Sequence, residues 1–172
     1  MRPSSSFFFT RHLLALGLAL ALPCAPAWAV KPGDTPVLTG RTLANQPFSL
    51  AALRGKVTLV VFWSTDCPVC RDKMPELRAN AQGWRGKPFE LITVSVDRKL
   101  QDTADYEKLV LTVVNKNEHL LSMWAGDSAY RSSIARPPHL PAAYLLDKSG
   151  RVVEQYSGRI PPEAWDRIAD LL

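Results

Sequence analysis

Two cysteines, Cys67 and Cys70, stand two residues apart in the string Ser64-Thr65-Asp66-Cys67-Pro68-Val69-Cys70. The nucleophile in disulfide exchange is the thiolate, and a free cysteine with a pKa of about 8.5 is mostly protonated at neutral pH. Something must therefore stabilise the anion. An apolar run precedes the pair and a helix-patterned stretch follows it, which puts Cys67 at a helix N-terminus. There, free backbone N–H groups and the positive end of the helix dipole lower a thiol pKa. Cys70 lies one turn further in, placed to attack the mixed disulfide that Cys67 forms with a partner; run backwards, the same steps donate a disulfide. Pro68 suits a first helical position, where a missing N–H costs nothing. Asp66 pulls two ways: its carboxylate disfavours a neighbouring thiolate yet is placed to cap the helix, so its net effect has no sign from sequence.

A third cysteine, Cys24, sits in a different kind of segment. Arg2 and Arg11 precede an apolar run from Leu13 to Leu22 that ends in Ala27-Trp28-Ala29, the pattern of a secretory signal peptide cleaved after residue 29. The run is short of the roughly 20 apolar residues a transmembrane helix needs. Retention as an anchor, or lipid attachment at Cys24, are the alternatives; Pro23 directly before Cys24 is a poor neighbour for the latter. Cleavage removes two arginines and no acid, taking the formal charge from +5 to +3, and leaves Cys67 and Cys70 as the two cysteines of residues 30–172. The remaining basic residues are scattered among acids, without the clustered pattern of a nucleic-acid surface.

The elements that must hold the pair follow from hydrophobic patterning in a chain of 172 residues, a length suited to one domain. Val37 to Arg54 reads as a β-hairpin entrance with its turn at Leu43–Pro47. Val57 to Trp63 is β-branched and apolar without polar alternation, as in a central strand buried on both faces. The helix from Cys67 carries Met74, Leu77 and Ala81 and stops near Gly83. Phe89 to Val96 is a second buried strand, and strand, helix, strand calls for a right-handed parallel crossover. Thr103 to Val114 reads as a helix, and within Lys116 to Ala135 a short strand or loop precedes a helix over Ser128 to Ile134. Ala142 to Asp147 and Val152 to Ser157 form a hairpin around Asp147-Lys148-Ser149-Gly150. Pro161 and Pro162 open a closing helix to Leu172.

Other uses of the two sulfurs are less well served. A four-residue loop gains little from a structural disulfide, since the chain-entropy term rises with loop length. Tetrahedral zinc takes four ligands, and His119 and His139 lack paired ligand spacing. Both histidines read as loop or surface residues. Trp63, at the strand end beside the cysteines, suits either the core or the substrate contact surface.

The stretch Phe62-Trp63-Ser64-Thr65-Asp66-Cys67-Pro68-Val69-Cys70-Arg71-Asp72-Lys73-Met74-Pro75-Glu76-Leu77 resembles the active-site segment of the TlpA/ResA-like (DsbE-like) branch of thioredoxin-fold proteins, which usually reads Phe-Trp-Ala-Thr-Trp-Cys-x-x-Cys-Arg-x-Glu-x-Pro. The likeness continues through Leu38–Lys56 and through Leu140–Val153. It implies an α/β thioredoxin fold: a central mixed sheet flanked by helices, with an N-terminal β-hairpin extension. It also implies that Cys67 is the nucleophile and Cys70 the resolving thiol, and that Pro141 is a cis-proline facing them. Leu140 would offer backbone to the substrate, and Pro75 would be the helix-kinking proline. Three positions depart from the pattern. Asp66 replaces an aromatic, Lys73 replaces an acid, and Val61 stands where thioredoxins proper carry a buried acid. With those acids absent, Asp66 is a candidate for part of the proton handling.

The resemblance further implies a periplasmic thiol–disulfide oxidoreductase that uses no cofactor and acts on protein disulfides or thiols, kept reduced by a membrane partner of disulfide-interchange type. Apocytochrome c and oxidised periplasmic thiols are clients of that kind. The alternatives are a disulfide-forming oxidant, since Pro68-Val69 partly resembles the Pro-His of periplasmic oxidants, and a copper-tolerance protein holding Cu(I) on the same soft thiolates. A peroxidase fits less well, because the peroxidatic pattern of peroxiredoxins lacks this adjacent pair. No stretch argues for an oligomer, so a single chain is the default.

Overall fold

The computed structural model describes residues 30–114 and 120–172; residues 1–29, on which the expected signal peptide and Cys24 fall, and His119 lie outside them. In chain order the elements are β1 (Leu38–Arg41), β2 (Pro47–Ser49), a 3-10 turn (Leu50–Leu53), β3 (Val57–Trp63), α1 (Pro68–Gly83), β4 (Phe89–Ser95) and α2 (Leu100–Val110). These are followed by β5 (Leu120–Trp124), β6 (Arg131–Ser132), β7 (Ala142–Leu146), β8 (Val152–Ser157) and α3 (Glu163–Leu171). Five strands form a mixed sheet in the order β5-β4-β3-β7-β8, with β3, β4 and β5 parallel and β7 and β8 antiparallel.

The unbroken apolar run of β3 follows from its central place, because successive side chains point to opposite faces and both faces are covered. Val57, Leu59, Val61 and Trp63 face a cluster with Cys70, Met74, Leu77 and Ala81 of α1 and Ile168 of α3. Val60 and Phe62 face the other way, into a cluster with Ile92, Val94, Leu38, Phe48 and Met123. Three helices therefore serve one face, Tyr106 of α2 packing against the first cluster. The second face is closed by β structure. The expected hairpin β1–β2 is present, but it is no free extension: β1 also pairs with β6, giving a separate sheet in the order β2-β1-β6.

The N-terminal residues also reach both rims of the main sheet. On the β8 side, the Gly33 N–H donates to the Val152 carbonyl at 2.7 Å and the Val152 N–H to the Asp34 carbonyl at 2.9 Å. On the β5 side, the Leu43 N–H donates to the Ser122 carbonyl at 2.8 Å, next to a bridge between Thr42 and Met123.

The structure corrects two assignments. Ser128 to Ile134 is not a helix. The Asp127 carboxylate accepts the Ala129 N–H at 2.7 Å and its carbonyl accepts the Tyr130 N–H at 3.0 Å, making a turn that delivers Arg131 and Ser132 to β1. The local side-chain turn and the long-range pairing together outcompete helix propensity. Helix α2 also sits earlier than expected, at Leu100–Val110 rather than Thr103–Val114. Thr103 is buried within it, and the β-branched run Thr112-Val113-Val114 unwinds into a turn. The hairpin turn at Gly150 is as expected, with φ of +81°, a conformation glycine adopts without strain.

Candidate active site

Parallel strands β3 and β4 end on the same side of the sheet, and the residues leaving those two ends build the site. The chain leaves β3 at Trp63 and turns through Ser64, Thr65 and Asp66, with the Cys67 N–H donating to the Ser64 carbonyl at 3.2 Å. Helix α1 then starts at Pro68. The helix cap is Cys67 itself rather than Asp66, in extended conformation, with Sγ accepting the Cys70 N–H at 3.1 Å. Asp66 is exposed, and its backbone N–H donates to Ser64 Oγ at 3.1 Å.

Cys67 and Cys70 form a disulfide with their Cα atoms 5.2 Å apart. The two sulfurs are unequally accessible: Cys67 is half-buried, whereas Cys70 is 2% exposed. After reduction, the thiol that a second protein can reach is the one at the helix N-terminus, where N–H groups and the dipole favour its anion. Pro68 and Val69 are exposed beside it.

The Leu140–Pro141 peptide bond is cis. Pro141 is buried and lines a small cleft together with Cys70, Val61, Lys73, Glu76 and Trp165. Leu140 is half-buried against both core clusters. The cleft thus contains the two positions where expected acids are missing, Val61 and Lys73. Its own ionisable groups are Lys73 and Glu76, paired at 2.5 Å. Trp63 is corrected from a candidate contact residue to a core residue: it is 1% exposed and packs on Tyr106 with ring centroids 5.0 Å apart. His139 is exposed on its loop. Among the described residues, no three His, Cys, Asp or Glu side chains gather as a metal site requires.

Pro75 lies inside α1. It has no N–H for the Arg71 carbonyl one turn before it, and that carbonyl instead accepts the Tyr106 hydroxyl at 2.8 Å.

One residue of this site went unread in the sequence. Asp97, which follows β4 after Val96, is buried, and its carboxylate holds the loop before Cys67. Oδ1 accepts Ser64 Oγ at 2.6 Å, the Thr65 N–H at 2.8 Å and Thr65 Oγ1 at 2.9 Å. Oδ2 accepts Ser95 Oγ at 2.8 Å and Thr103 Oγ1 at 2.9 Å. Burial opposes its charge, but these hydrogen bonds from Ser64, Ser95, Thr65 and Thr103 outweigh it and hold the pKa below the ordinary aspartate value of 3.8. The available signal was topological: an acid closing the parallel strand next to the central one falls beside the loop that leaves the central strand.

A two-cysteine disulfide at the N-terminus of the helix that follows the central strand, with a cis-proline lining the cleft behind it, defines a thioredoxin-fold thiol–disulfide oxidoreductase. Residues 25–167 match the AhpC/TSA family, and the chain belongs to that family. It is similar to thiol-disulfide oxidoreductase ResA of Bacillus thuringiensis (strain Al Hakam), 24% identical over 129 residues that cover 73% of this chain and 68% of that protein. It is also similar to sporulation thiol-disulfide oxidoreductase A of Bacillus subtilis (strain 168), 22% identical over 158 residues, 90% of this chain and 91% of the relative. Among solved structures, a thiol:disulfide interchange protein of the thioredoxin family from Chlorobium tepidum TLS superposes with a TM-score of 0.63 at 24% identity, covering 83% of this chain and 97% of that one.

Proposed function

We propose that this protein is an exported reductant that donates two electrons to the disulfides of other proteins through Cys67 and Cys70. The observation that carries the exchange chemistry is the unequal pair, a half-buried sulfur capping a helix and a buried sulfur one turn behind it, and the reductant direction rests on the resemblance to the ResA-like branch. In the dithiol form, the Cys67 thiolate attacks one sulfur of a client disulfide, forming a mixed disulfide and expelling the other client sulfur as a thiolate, which takes up a proton. Cys70 then loses its proton and attacks Cys67 Sγ. The Cys67–Cys70 disulfide forms, the second client sulfur leaves as a thiol, and the client has gained two electrons and two protons. Lys73 and Glu76 share the cleft with Cys70 and are the ionisable groups placed to handle its proton. The exposed Pro68 and Val69 and the backbone at Leu140 supply the surface against which a client segment lies.

Export rests on the N-terminal pattern that ends at Ala27-Trp28-Ala29, and the periplasm is the compartment this reading assigns. Among the described residues, no helix is long and apolar enough to cross a membrane. A reductant working in an oxidising compartment needs a dithiol donor of its own, and a membrane protein of disulfide-interchange type would supply it.

The test is the reduction potential of the Cys67–Cys70 couple, equilibrated against glutathione. A value near or below the roughly −270 mV of thioredoxin supports a reductant; a value near the roughly −120 mV of a strong periplasmic oxidant overturns the direction and keeps the two residues.

A further inference from the structure

The carboxylate of Asp97 makes all its hydrogen bonds to uncharged donors, and two residues of the turn that presents Cys67 are bound to it. A buried carboxylate bonded to the turn that presents a reacting sulfur is a standing negative charge, screened far less than one in water. We propose that Asp97 is a positioning residue that sets the direction of electron flow: it holds the Ser64–Cys67 turn and, by its fixed charge, disfavours the Cys67 thiolate, so that the reduced pair readily gives up its electrons. This deepens the reading of the protein as a reductant and rests on it.

Oxidation converts two thiols to one disulfide with loss of two electrons and two protons, and the disulfide carries no charge. A strong oxidant is one whose reduced form is stabilised, chiefly as a thiolate. The helix N-terminus acts in that direction here. Asp97 acts against it, because a nearby like charge raises the free energy of the thiolate alone. Other charges surround the turn. Asp66 adds a further negative charge next to Cys67. Arg71, Lys73 and Glu76 lie on α1, and Arg98 follows Asp97 in the chain. Arg136 donates to the Val96 carbonyl at 3.0 Å. Of these groups, only Asp97 is bonded to the turn through its side chain, and burial fixes it in place.

Asparagine isolates the charge from the scaffold. In the Asp97→Asn variant the amide oxygen can still accept from Ser64 and Thr65, and the hydroxyls of Ser95 and Thr103 can turn to accept from the amide nitrogen. Asp97→Asn should therefore lower the Cys67 pKa, read as the pH dependence of thiol alkylation. At pH 7.5 it should shift the equilibrium with glutathione about tenfold toward the dithiol, roughly 30 mV for this two-electron couple. Measured well below the Cys67 pKa, where no thiolate is present in either protein, the shift should vanish. Thr103→Val removes one donor from the carboxylate without removing the charge and should move the Cys67 pKa the opposite way; it keeps the proposal testable should the asparagine variant fail to fold. An unchanged Cys67 pKa and potential in Asp97→Asn would overturn the proposal, as would a potential shift of equal size at every pH, or an unchanged or lowered Cys67 pKa in Thr103→Val. The wild-type potential alone judges the reductant reading, so a strongly oxidising wild type would sink that reading, whereas the difference between variants judges Asp97.

Discussion

The Tyr106 hydroxyl donates to the Arg71 carbonyl at 2.8 Å, the acceptor that Pro75 leaves without an N–H. The helix that carries both cysteines is thus interrupted by its own sequence and repaired by its neighbour α2. The same tyrosine ring packs on Trp63, the last residue of the central strand, so one side chain ties α2 both to the redox helix and to the strand before it.

Tyr106→Phe keeps the ring and deletes the bond. The cost should be about 1 kcal/mol, the usual net value of one neutral hydrogen bond. Urea denaturation checks this, with a lower midpoint and an unchanged slope expected.

The unequal burial of the two sulfurs gives their variants different phenotypes. With Cys70→Ala, the Cys67 mixed disulfide has no resolving thiol and should accumulate as a covalent adduct with client protein, visible on a non-reducing gel. Cys67→Ala should form no such adduct, because Cys70 is 2% exposed and cannot be reached.

Arg78 of α1 is 2% exposed and pairs with Glu107 of α2. Removing the acid strands a buried cation, so Glu107→Ala should destabilise the protein by about 3 kcal/mol or more. Replacing both residues by leucine removes both charges and should recover most of that loss, which chemical denaturation of the two variants checks.

Asp97 also sets an acid limb of stability. Its folded pKa is depressed, so its contribution is complete above the ordinary value of 3.8 and is lost as pH falls through the lower folded value. Asp97→Asn should cost about 2 kcal/mol at neutral pH, in the range for hydrogen bonds to a charged group. It should also show a shallower decline between about pH 5 and pH 2 than the wild type, since no carboxylate remains there to protonate. Denaturation midpoints across that range decide it.

The strands were legible where pattern and environment agree. Val57–Trp63 is apolar at every position but one because both of its faces are buried, and nothing in the run competes with that reading. Cys67 and Cys70 were legible from their spacing and from the strand and helix patterns on either side of them. Besides Asp97, three things were not. Arg131 and Ser132 become a strand only because β1, some ninety residues earlier, offers its edge, and no local propensity carries that information. Thr103 starts the helix read from sequence, yet it lies inside α2, with its hydroxyl bound to Asp97. Trp63 was ambiguous because a large aromatic at a strand end suits both interior and contact surface, and Tyr106 packing on its ring decides for the interior.

A sheet stops growing only where its outer hydrogen-bonding rows are occupied, and here one short stretch occupies parts of both. Residues 33 and 34 bond the outer row of β8, and residues 42 and 43 bond that of β5, from opposite sides of five strands. Between them the chain forms β1, which also seals an apolar face. Trimming the chain through Leu43 would therefore uncover two unpaired rims and a greasy surface at once, turning a sheet that ends at five strands into a template for adding more.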